Sequence, residues 1–181
     1  PLFGIYTETP FKLKNSKLNL TYKPKLQLII SPGISNTNKI SNEDSSNNIF
    51  SIENISSLNR YSGSDKMDNS KRINYVLDIY NTKLNLKFSQ TYEFTDNSNY
   101  HKEQGNENNL SDFLGQIEYK DKNIFNYNFR YDFNDKYLKQ QSIGIETPTN
   151  IGDLSLSYLD QKTKTDNIIN TDTESLNYNF K

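Results

Sequence analysis

Apolar and polar residues alternate with a period of two along most of this chain, over runs longer than an ordinary strand. In 17–32, Leu18, Leu20, Tyr22, Leu26, Leu28 and Ile30 share one parity, while Asn19, Thr21, Lys23, Lys25 and Gln27 hold the other. Successive side chains of a strand point to opposite faces, so such a run has one apolar and one polar face. Phe3, Ile5, Phe11 and Leu13 share a parity just before it, and Asn15 with Ser16 supplies a hairpin turn. The pattern returns at Ile73, Tyr75, Leu77 and Ile79. It recurs at Leu84, Leu86 and Phe88, running on through Tyr92 and Phe94, and again at Phe113, Ile117 and Tyr119. It is cleanest in 123–133, where Phe125, Tyr127, Phe129, Tyr131 and Phe133 alternate with Asn126, Asn128, Arg130 and Asp132. Shorter runs at 141–146, 154–158 and 176–180 complete about nine strands.

The fold class is therefore all-β, with long antiparallel strands in up-and-down order. Composition agrees: there are 13 Tyr and 10 Phe, no Ala, and Val76 as the one valine, so strand formers prevail over helix formers. Connection lengths sort by parity. Residues 14–17, 81–82, 121–123 and 148–152 are short connections and 33–70, 95–111 and 164–171 long ones, with 134–137 the one short connection on the long side. A soluble sandwich has no reason for that sorting, whereas a transmembrane barrel has short turns at one end and long loops at the other. Roughly 9–11 tilted residues cross the hydrocarbon layer, and 72–80, 84–94 and 123–133 have that length. The apolar parity then faces lipid and the polar parity a hydrated lumen, with Lys87, Arg130 and Asp132 as lumen-facing candidates. Residues 1–181 read as a single fragment of a barrel domain, with long loops at about 33–70 and 95–111. As a fragment, a partial transmembrane β-barrel is an open curved sheet. The absence of an initiator Met, with strand sequence at both Pro1 and Lys181, reads the same way.

Several function classes fall away. Net charge is −1, with Lys and acids interspersed, which leaves no electrostatic surface for nucleic acid. The chain has no Cys, hence no disulfide framework or thiolate metal site. His101 is its one histidine and sits in a polar loop, so no His-based metal cluster and no Ser-His-Asp triad is expected, and neither catalysis nor a cofactor. Glu43, Asp44, Asp65 and Asp68 are carboxylates of the kind a hard cation takes, but their spacing fits no loop signature, so solvated loop charge is the default.

The stretch PKLQLIISP at 24–32, followed by NEDSSNNIFSIENISSLNRYSGSDKMDNSKRINYVLDIY at 42–80, resembles the LptD family of outer-membrane lipopolysaccharide-assembly proteins. The family pattern is a strand ending in Ser-Pro, an Asn-Glu-Asp-Ser segment and an Asn-Leu-Phe-like segment. Asn-Arg-aromatic-Ser-Gly-x-Asp-Arg then leads into a strand. Here that last motif is Asn59, Arg60, Tyr61, Ser62, Gly63, Ser64, Asp65 and Lys66, with Lys66 in place of the usual Arg. The resemblance implies a piece of the C-terminal barrel of a non-catalytic translocon that inserts lipopolysaccharide into the outer leaflet of a Gram-negative outer membrane. Its implied partners are lipopolysaccharide, outer-membrane lipid, an LptE-like plug lipoprotein and a periplasmic bridge protein. Two other readings stay open: another outer-membrane barrel, such as a porin or receptor, and a soluble Asn-rich β adhesin or binding module.

Within the motif, an ion-pair network of Arg60 with Asp65 and Lys66 is expected to tie the long loop into the lumen, and Gly63 to serve a turn that needs positive φ. This structural anchor is preferred to direct lipid contact. Pro24 cannot donate to a ladder, so it belongs at an edge, a bulge or a weakened pairing.

Overall fold

The computed structural model describes residues 2–13, 19–31, 49–63, 65–95, 105–107, 109–165 and 168–180, and among them there is no helix. The strands are β1 (Phe3–Glu8), β2 (Phe11–Lys12), β3 (Thr21–Ile30), β4 (Lys71–Tyr80), β5 (Leu84–Glu93) and β6 (Asn106–Glu107), then β7 (Leu110–Ser111), β8 (Phe113–Lys120), β9 (Ile124–Asp132), β10 (Tyr137–Thr149), β11 (Gly152–Thr165) and β12 (Ile168–Phe180). Nine of them follow one another in the order β1-β3-β4-β5-β8-β9-β10-β11-β12, while β2 pairs with β3 and the short β6 and β7 pair with each other, β7 also with β5. This is the all-β, up-and-down arrangement that the alternation predicts.

Two of the short turns are closed by a side chain at their start. Asn81 Oδ1 accepts from the backbone N–H groups of Lys83 (2.8 Å) and Leu84 (2.7 Å). Asp132 Oδ1 likewise accepts from those of Asn134 (2.8 Å) and Asp135 (3.0 Å). Both are side-chain mimics of a backbone turn. The turn expected at Asn15 and Ser16 lies outside the described residues.

Pro24 sits inside a continuous strand, and its neighbour explains how. Glu8 pairs with Lys25 and Phe11 with Tyr22, one register on either side of the break between β1 and β2. The Thr9 N–H donates to the Pro24 carbonyl at 3.3 Å. Proline has no N–H to return the bond, so the weakened pairing lies against Thr9 and Pro10.

Two expectations need correction. Of the long loop expected at 164–171, residues 164, 165 and 168–171 are strand, β11 and β12 running 14 and 13 residues and pairing as far as Thr165↔Ile168; 166 and 167 lie outside the described residues. And β10 begins at Tyr137, not 141. Counting back by twos from Ile143 puts Lys139 and Tyr137 on the apolar face and Leu138 on the polar one. A bulge between Leu138 and Gln140 removes that conflict, because Leu138 pairs with Tyr131, Gln140 with Arg130, and Lys139 is the extra residue. Lys139 then reaches Asp132 at 3.0 Å, both side chains buried.

The chain packs as two compact units. The first comprises Pro1–Thr9, Pro24–Val76 and Ser89–Asp112. In it, residues 49–70 cover the polar face of the strands: a Cβ on Gly4 would stand 2.7 Å from Leu58 Cδ2, and Phe50, Ile55 and Ile29 are buried. The second comprises Pro10–Lys23, Leu77–Phe88 and Phe113–Lys181. Here the aromatic row packs laterally, Phe113 stacking on Phe88 at 5.9 Å and meeting Phe129 at 6.0 Å and Phe133 at 5.8 Å. Gly115, paired with Phe129, leaves the place of a Cβ to that ring.

Burial is inverted relative to a water-soluble sheet. Among the described residues nineteen polar or charged side chains are buried against six hydrophobic ones. On β4 the buried residues are Arg72, Asn74 and Asp78, whereas Tyr75 is exposed; on β9 they are Arg130 and Asp132, whereas Phe125 is exposed. Exposed Leu, Ile, Phe and Tyr thus recur in alternation along the strands, an apolar exposure that monomeric soluble proteins rarely show.

Candidate functional site

The NRYSGSDKMDNSKR stretch, 59–72, is the centre of a buried charge network. Its scaffold is built upstream by a polar turn: Asn54 Oδ1 accepts from the Ser51 N–H at 2.9 Å, and Asn54 Nδ2 donates to the Ile49 carbonyl at 2.8 Å. Asn59 then closes the loop on itself. Its Oδ1 accepts from the Asp68 N–H (3.0 Å) and its Nδ2 donates to the Lys66 carbonyl (2.9 Å). Between them Gly63 takes φ of 82°, the left-handed conformation that glycine adopts without strain.

Four charges meet inside this frame. Arg60 donates from Nε to Asp68 Oδ2 at 2.6 Å and from Nη2 to Glu93 Oε1. Arg72 donates from Nη1 to the same Asp68 oxygen at 2.7 Å, and from Nη2 to the carbonyls of Ser57 (2.5 Å) and Leu58 (3.2 Å). Ser70 Oγ donates to Glu93 Oε2 at 2.6 Å, and the Arg60 guanidinium lies 4.7 Å from the Phe50 ring centre. All four charged side chains have no exposed surface. Two guanidinium groups against two carboxylates make the cluster neutral, and that is what makes complete burial tolerable. Arg72 belongs to β4 and Glu93 to β5, so the network joins residues 57–70 to two adjacent strands.

A neutral lattice continues from it. Asn74 Nδ2 donates to Gln27 Oε1 at 2.8 Å, Thr91 Oγ1 donates to Asn74 Oδ1 at 2.7 Å, and the Thr91 N–H donates to Ser111 Oγ at 2.8 Å. Tyr61 is buried at its margin; burial first, then Asp68, raises its hydroxyl pKa above the ordinary 10.0, with Arg60 opposing. The Lys66 ammonium lies 5.7 Å from the Tyr61 ring centre.

Asn59, Arg60, Tyr61 and Lys66 therefore stand in one buried or half-buried constellation, Ser62 and Gly63 are exposed at the loop tip, and Asp65 is half-buried. Ser64 lies outside the described residues, as do Glu43, Asp44 and His101. Asp68, expected as a solvated loop charge, is fully buried between two arginines. Glu93, Ser70 and Arg72 escape sequence reasoning, although a signal for Glu93 exists: an acid at a polar-parity position near the end of a spanning strand. Arg130 and Asp132 are buried on β9, and Lys87 is half-buried on β5. Hydrogen bonds and ion pairs hold the charges of the cluster in place, an arrangement suited to fastening a loop.

A protein-family model described as LPS transport system D (LptD) matches residues 2–181. No curated protein matches the chain.

Proposed function

The chain belongs to the LptD family, and on that premise we propose that it is part of the outer-membrane translocon that inserts lipopolysaccharide into the outer leaflet of a Gram-negative outer membrane. The observation that carries this reading is the inverted burial, with Arg72, Asp78, Arg130 and Asp132 buried and alternating Tyr, Phe, Leu and Ile exposed. Hydrocarbon is the solvent in which such a surface is stable, since strands satisfy their backbone groups with one another. A soluble Asn-rich module would bury the other parity. Residues 1–181 are then a stretch of one barrel domain, and the polar parity, including Lys87, Arg130 and Asp132, lines its hydrated wall.

In this reading the work is transport and no bond is made or broken. Asn59, Arg60, Tyr61, Ser62, Gly63, Asp65 and Lys66 act as an anchor, with Arg60 fastening residues 49–70 to β4 and β5. The partners are lipopolysaccharide, the surrounding lipid, an LptE-like plug lipoprotein and a periplasmic bridge protein. The test is depletion of the full-length protein in its own cells while following tagged lipopolysaccharide. Surface delivery is expected to stop, with lipopolysaccharide accumulating on the periplasmic side. Undiminished delivery would overturn the proposal.

A further inference from the structure

The apolar face of β10–β12 is interrupted by a polar row. Ile145 pairs with Leu156 and Leu156 with Tyr178; Ile143 pairs with Tyr158 and Tyr158 with Leu176. One step further along the same face, Gln141 pairs with Asp160 and Asp160 with Glu174. Directly opposed residues share a face, so an amide and two acids stand where aliphatic residues are due. Lys162 joins them, its ammonium 3.0 Å from Asp160.

The row is built rather than incidental. Gln141 Nε2 donates to Asp160 Oδ2 at 3.0 Å. Two tyrosines of the last apolar row turn their hydroxyls toward it, Tyr158 donating to Glu174 Oε1 at 2.9 Å and Tyr127, opposite Ile143, to Gln141 Oε1 at 3.4 Å. A ring in hydrocarbon with its hydroxyl in a polar layer is the arrangement tyrosine favours at a membrane interface. Strand length provides an independent sign. β10, β11 and β12 have 13, 14 and 13 residues, whereas β4, β5, β8 and β9 have 10, 10, 8 and 9. In β11 and β12, residues 161–165 and 168–173 lie beyond the polar row, while β10 stays paired with β9 past it as far as Tyr137↔Asp132.

We infer that the hydrocarbon boundary crosses β10–β12 at the row Gln141, Asp160 and Glu174, and that this row with Lys162 lies against the polar headgroups of the outer-membrane lipid. Charge on a lipid-facing strand is costly at mid-membrane and nearly neutral at the interface. Acids and lysines together suit a layer of phosphates and their counter-ions. The inference rests on the outer-membrane reading above.

The chain has no Cys, so cysteine can be introduced at chosen rows of the full-length protein reconstituted in lipid vesicles. The probe is a hydrophilic maleimide, located by peptide mass, with folding checked by migration of the unboiled protein on a gel. Gln141→Cys, Lys162→Cys and Glu174→Cys are expected to label at least about tenfold faster than Ile143→Cys, Leu156→Cys and Leu176→Cys. If one variant of the polar row fails to fold, the other two decide. Equal protection at both sets would overturn the boundary while leaving the membrane reading intact. Equal, rapid labelling at both would place water on the apolar rows and overturn the membrane reading itself.

Discussion

Arg60 shows how much a single side chain carries in this protein. It holds two acids, Asp68 and Glu93, in a site without solvent. Replacing it by Met leaves two buried carboxylates facing the one guanidinium of Arg72. Breaking a buried pair in this way costs about 3–5 kcal/mol, so Arg60→Met is expected to lower the urea midpoint of the refolded protein by that equivalent. Adding Glu93→Gln restores neutrality around Asp68 and Arg72 and should recover a large part of the loss. A single variant as stable as the parent would show that the cluster does not hold the loop. An anchor is the expectation drawn from the motif, whose crowding of charges around Gly63 was visible in the sequence. Its partners were not, since Glu93 is thirty-three residues distant and sequence spacing carries no information about contacts across a sheet.

At the level of elements, the bulge at Lys139 explains both where the alternation succeeds and where it stops. Parity is readable while each residue advances the pleat by one step, as in β4 and β9. One extra residue exchanges the faces of everything before it, so the alternation seen from Ile143 breaks at Lys139 although the strand does not. Deleting Lys139 is expected to keep Leu138 opposite Tyr131 and Gln140 opposite Arg130, now as consecutive pairs. Its cost comes from Asp132, which loses its ammonium partner in a buried site, about 3–5 kcal/mol. The deletion combined with Asp132→Asn should refold with most of the parent stability, because Asn keeps the turn-closing oxygen. Failure of that double variant to fold would mean that the bulge, and not the ion pair, is what β9 and β10 require. The expected loop at 164–171 is a related misreading: its Asn, Asp and Thr residues look like loop composition, yet β11 and β12 pair into it as far as Thr165↔Ile168, because ladder hydrogen bonds depend on backbone and not on side-chain polarity.

For the whole molecule, the exposed apolar parity governs behaviour in solution. Ile5, Leu154, Leu176, Tyr178 and Phe180 are among the large hydrophobic residues left uncovered. The full-length protein is expected to be recovered folded from denaturant only with detergent or lipid present, measured by the gain of β-sheet circular dichroism and by altered migration without boiling. A monodisperse, folded species in plain buffer would contradict the membrane reading and favour a soluble binding module. The sequence by itself determined that the chain is made of strands and which parity is apolar, because both follow from local periodicity and side-chain transfer energies. It also carried the family motif at 59–66, within a chain that the family model matches over residues 2–181. Only the tertiary structure decided which charges meet, where a bulge resets the faces, and how far β10–β12 extend past their apolar rows. Those depend on pairings between residues far apart in the chain, and the energy of a buried charge is set by the partner that reaches it.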